Sequence, residues 1–69
     1  MEFRWEDGSE IRTSVDNNVI VISANKEGLL SLANHFKDLA ESGPGGHFHL
    51  DEHNSLEDGS AELIVEKIL

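Results

Sequence analysis

Three residues with the types and spacing for metal chemistry lie on one short segment, His47-Phe48-His49-Leu50-Asp51. If that segment is a strand, His47, His49 and Asp51 project to one side, because side chains i, i+2 and i+4 share a face. Two imidazoles and a carboxylate could begin a zinc site, which needs three or four N/O ligands about 2 Å from the ion. Nothing completes the set: His35 falls in a helical stretch and His53 in a polar turn. His47, His49 and Asp51 are therefore weak metal candidates, and the expectation is that no metal and no cofactor is bound. The favoured role is two imidazoles on a partly solvated sheet face, hydrogen-bonded to nearby carboxylates. A free histidine titrates near pH 6.5, so association through such a face would vary between about pH 5.5 and 8.

Other chemistry is poorly represented. Asp51 to Gly59 is rich in oxygens but lacks the sixth-position glycine and spaced acids of a calcium-binding EF-hand loop. It reads as a solvated turn, with Asp58-Gly59 as the tight corner and Ser60 starting the last strand. The chain has no cysteine, no Gly-x-Ser-x-Gly elbow and no glycine-rich phosphate loop. Gly43-Pro44-Gly45-Gly46 follows a helix and does not open one, so no helix N-terminus is available there to hold phosphate. A chain this small also has little room for an enclosed pocket of about 300 Å³ or more. An enzyme is not expected.

The elements that would carry these residues follow from periodicity. Phe3 and Trp5 alternate with polar residues, a strand signal, and Asp7-Gly8 suits a two-residue hairpin turn. Ile11, Thr13 and Val15 alternate again before a turn at Asp16-Asn17-Asn18. Val19-Ile20-Val21-Ile22 is β-branched throughout and predicts a central strand buried on both faces. Asn25 is the preferred N-cap of a helix over about 26–42, with Ser23 as the alternative. Leu29, Leu32, Ala33, Phe36, Leu39 and Ala40 form its apolar stripe, and Leu30 lies off it. Gly43 suits a left-handed C′ position and Pro44 forbids continuation. Such a helix, about 25 Å long, would cross a four- or five-stranded sheet. The expected fold is α+β: a small antiparallel sheet of four to five strands with one helix packed across one face, in the order β-β-(β)-α-β-β. Residues 1–69 would form a single compact domain.

Register decides the faces. Pairing Val15 with Val19 puts Ile11, Thr13, Val15, Val19 and Val21 on one face, the floor for the helix together with Phe48, Leu50, Leu63 and Val65. The other face then holds Phe3, Trp5, Ile20, Ile22, Ile64 and Ile68, rimmed by Arg12, His47, His49, Glu62 and Glu66. One helix cannot cover both faces, and an apolar centre with a charged rim is the anatomy of a binding surface. The predicted partner-binding set is Phe3, Trp5, Arg12, Ile20, Ile22, His47, His49, Glu62, Ile64 and Glu66. Its occupant would be a second copy or another protein, unless the N-terminal hairpin folds over it.

Composition limits the partners. Fourteen Asp and Glu against five Lys and Arg leave a net charge of −9. That argues against nucleic acid and anionic membranes, which attract positive charge. It suits a soluble protein that either repels its neighbours or docks on a basic surface, and solubility alone also accounts for it. There is no apolar run of about 18 residues and no apolar signal-peptide core, so a cytoplasmic location is expected. Sixty-nine residues without cysteine make a marginal domain, for which a partner chain is a natural source of stability.

Three segments together resemble the polymorphic-toxin immunity protein 32 family: residues 23–35 (Ser-Ala-Asn-Lys-Glu-Gly-Leu-Leu-Ser-Leu-Ala-Asn-His), His47-Phe48-His49-Leu50-Asp51, and residues 56–63 (Leu-Glu-Asp-Gly-Ser-Ala-Glu-Leu). The likeness spans roughly residues 19–68. His47, His49, Leu50, Gly59, Ser60, Glu62 and Leu63 stand at the positions of the family pattern. The resemblance implies a bacterial cytoplasmic protein that binds and neutralises a cognate toxin and is not an enzyme. The acidic charge suits a basic toxin such as a nuclease. A homodimer without a dedicated toxin and a small metal- or ligand-binding module are the alternatives.

Overall fold

The computed structural model describes residues 5–69. Its order is β1 (Ile11–Asp16), β2 (Val19–Ala24), α1 (Lys26–Ala40), β3 (His47–Leu50) and β4 (Leu63–Glu66). The fold is α+β, but among the described residues the strands do not form the expected single sheet of four to five. β1 and β2 form one two-stranded antiparallel sheet, and β3 and β4 form another. The chain before β4 bridges them without building a ladder. Glu57 N–H donates to Ile11 O at 2.9 Å and Ala61 N–H to Thr13 O at 3.1 Å. Between those bonds the backbone turns, with Ser60 N–H on Glu57 O and Gly59 at φ 83°. The turn takes up the residues that would have continued the pairing. The last strand accordingly begins at Leu63, and not at Ser60.

The first hairpin differs from expectation by one residue. Asp16 pairs with Val19 and Val15 with Ile20, so the loop is only Asn17-Asn18. Both asparagines have positive φ, 50° and 65°, as the favoured two-residue hairpin turn requires. Asparagine tolerates that region because its short polar side chain bonds locally. The slip moves every β2 side chain to the other face. Ile20 and Ile22 share a face with Ile11 and Thr13, whereas Val19 and Val21 lie opposite. β2 is also not a buried central strand: Val19, Ile20, Val21 and Ile22 are all exposed.

Asn25 caps the helix as expected. Its Oδ1 accepts from Gly28 N–H at 2.7 Å and from Glu10 N–H at 3.0 Å, and its Nδ2 donates to Gly8 O at 2.9 Å. One side chain thus starts the helix and fixes the chain entering β1. Asp7-Gly8 does turn, with Ser9 N–H on Glu6 O and Gly8 at φ 80°. Among the described residues no strand precedes it, however: Trp5 lies in irregular chain, and Phe3 lies outside the described residues. At the other end Gly43 does not take the left-handed conformation; Gly45 does, at φ 81°. The last carbonyls are satisfied instead by Ser42 Oγ on Leu39 O and by Lys67 Nζ on Ala40 O and Ser42 O.

The helix is rolled by nearly one residue from its apolar stripe. The buried face is Gly28, Ser31, Leu32, His35 and Leu39, while Leu29, Ala33, Phe36 and Ala40 are exposed. Local partners explain why small and polar residues face inward. Gly28 admits the hairpin base, Ser31 Oγ donates to Glu27 O while accepting Glu6 N–H, and His35 sits edge-on to Trp5 at 4.3 Å between ring centroids. The core proper is Ile11, Leu32, Leu39, Phe48, Leu50 and Leu56. Leu56 reaches it from the loop after β3, a contribution that its polar neighbours concealed.

Candidate partner-binding face

Alternation in β3 separates core from surface. Phe48 and Leu50 point inward and pair with Val65 and Leu63; His47 and His49 point outward and pair with Glu66 and Ile64. Antiparallel partners share a face, so His47, His49, Ile64 and Glu66 form one outward patch. Ile64 is 53% exposed at its middle. The two imidazoles meet edge to face at 5.1 Å. Glu62 joins them, its Oε2 3.6 Å from His49 Nδ1. Both members of that pair are about half exposed, so its contribution to stability is small, on the order of 1 kcal/mol or less.

Five of the ten expected partner-binding residues therefore come together: His47, His49, Glu62, Ile64 and Glu66. Arg12 also points away from the core, where its Nη1 donates to Asp58 O at 2.9 Å and pins the turn before β4. Ile20 and Ile22 are on the core-facing side of the first hairpin and do not belong to this patch. Trp5 packs on His35 of the helix, away from the imidazole row. Phe3 is outside the described residues.

Asp51 is not a third ligand beside the histidines. β3 ends at Leu50, and the Asp51 carboxylate turns into its own loop to accept His53 N–H at 2.8 Å. Its carbonyl accepts from Asn54, Ser55 and Leu56 N–H groups. Among the described residues no group of three or more His, Cys, Asp or Glu is arranged to hold a metal ion. The loop is tightened further by Gly59 N–H on Glu52 Oε2 at 2.8 Å. These bonds give Asp51, Glu52 and Gly59 a structural role: they place Leu56 in the core and Glu62 beside His49.

Several exposed apolar residues were absent from the expected set. Val15, Val19 and Val21 flank Ile20 and Ile22 on the first hairpin, and Leu29, Leu30 and Phe36 lie on the helix surface. The signal was present in the helix, whose apolar residues span more than one face can bury. Among the described residues no helix is long and apolar enough to cross a membrane.

Neither a curated protein nor a solved structure matches the chain. A family model does: that of Immunity protein 32, over residues 19–68. The matched span takes in β2, the helix, the Asp51–Gly59 loop and both strands of the histidine face, which is most of the architecture just described. The chain belongs to the Immunity protein 32 family.

Proposed function

We propose that this protein is a non-catalytic toxin inhibitor that occludes a cognate toxin by direct contact, acting in the bacterial cytoplasm. The observation that carries the reading is the outward face of β3 and β4, lying inside the family-matched span. It sets a half-exposed isoleucine among two histidines and two glutamates, an apolar centre with a hydrogen-bonding rim. The −9 charge supports a basic partner surface, because complementary fields speed the encounter. The two ordered strands hold the face before binding, so little conformational freedom is lost on contact.

The test is growth rescue with a toxin whose gene is found adjacent to this one. Cells expressing that toxin survive when the wild-type chain is co-expressed. Ile64→Glu puts a charge at the centre of the contact and leaves the core untouched. It is expected to abolish rescue while the helical circular-dichroism signal persists. Full rescue by Ile64→Glu would place toxin contact elsewhere on the molecule.

A further inference from the structure

The outer edge of β2 is one of the strand edges left unpaired among the described residues. β1 has β2 on one side and the Glu57–Ala61 segment on the other. Among the described residues, no strand pairs with the far side of β2. An open edge is a row of unpaired N–H and C=O groups, and proteins usually blunt it with lysine, proline or a bulge. β2 has none of these: Val19-Ile20-Val21-Ile22-Ser23-Ala24 carries no charge and no proline, and its pairing with β1 is unbroken. Its aliphatic side chains are exposed on both faces, Ile20 at 70% and Val19 at 57%.

We infer that β2 is a self-association edge, pairing antiparallel with β2 of a second copy about a two-fold axis. Charge decides the occupant. Two copies at −9 repel one another, and β2 offers them a seam that adds no side-chain charge to that repulsion. A basic toxin is drawn by long-range charge to the carboxylates instead. The geometry is self-complementary. Facing residues in an antiparallel pair must point to the same side. A two-fold axis at Val21 meets this, setting Val21 against its own copy and Ile20 against Ile22 of the second chain. β-branched side chains facing one another across a pair add to the backbone bonds. The seam joins two hairpins into a four-stranded sheet made of two chains.

Light scattering after size exclusion, across roughly a hundredfold range of protein concentration, reads the mass. The wild type is expected to shift from monomer to dimer, more readily at high salt because repulsion is screened. Val21→Lys sets two like charges together at the axis and is expected to weaken the dimer by about tenfold or more. Amide hydrogen exchange on the wild type gives a readout independent of any variant: the outward amides of residues 19–24 gain protection as concentration rises. A monomer at every concentration and salt level would overturn the inference. A dimer unaffected by Val21→Lys, or one that leaves the β2 amides unprotected, would overturn it as well.

Discussion

Gly28 shows how a single side-chain choice sets the relation of helix to hairpin. A Cβ at this position would lie 2.5 Å from Glu10 O and 2.9 Å from Ile11 Cγ1, well inside contact distance. Neither neighbour yields easily, since Glu10 O is backbone and Ile11 is among the most buried residues in the core. Gly28→Ala is therefore expected to destabilise the fold by about 1–3 kcal/mol through overpacking. That outweighs the gain, at most about 1 kcal/mol, from replacing a glycine in the first helical turn by alanine. Gly43→Ala is the control, because its added Cβ meets nothing within 4 Å and its backbone is not left-handed. Urea midpoints of the two variants give the comparison; equal midpoints would mean that the hairpin base has room to move away from the helix. His35 makes a related point. A fully buried histidine flanked by Trp5 and Phe48 fills core volume, although its residue type suggested chemistry.

The helix illustrates the same logic along its length, at both ends. Asn25 ties its start to the chain entering β1, and Lys67, just past β4, ties its end to the last strand. Lys67→Met keeps the aliphatic stem but leaves Ala40 and Ser42 carbonyls to water. The expected loss is about 0.5–1 kcal/mol, from the hydrogen bonds and from the cation at the negative helix end. Thermal melts at low and high salt check it: the gap between wild type and variant should narrow as salt screens the charge. The helix, its N-cap and the inward Phe48–Leu50 alternation were legible in the sequence, because each rests on a local rule. The register of the first hairpin depended on whether Asp16 belongs to the turn. Two adjacent asparagines were a readable signal for the shorter loop, and reading Asp16 as part of the turn reversed the faces of Ile20 and Ile22. The roll of the helix was not legible, since it depends on Trp5 and Glu6 packing against His35 and Ser31 across the fold. The histidine face survived these errors because β3 and β4 each fix their faces by simple alternation around Phe48 and Leu50.

Charge divides the whole molecule into surfaces suited to different partners. Carboxylates surround the histidine face, whereas residues 19–24 carry no charge. The two proposed associations therefore respond to salt with opposite signs. Attraction between a −9 protein and a basic toxin is long-range and is screened beyond about 8–10 Å at physiological ionic strength. The association rate is expected to fall by about tenfold or more as salt is raised from low to physiological levels. The dissociation rate should change little, since short-range contacts such as those of Ile64 set it. Self-association through β2 runs the other way, because salt removes repulsion between like-charged copies and leaves the apolar seam intact. Stopped-flow or surface-based kinetics with a toxin that the protein neutralises, beside light scattering of the protein alone, separates the two. A toxin association rate indifferent to salt would show that the acidic field does not guide the encounter, and recognition would then rest on the apolar and hydrogen-bonding contacts of β3 and β4 alone.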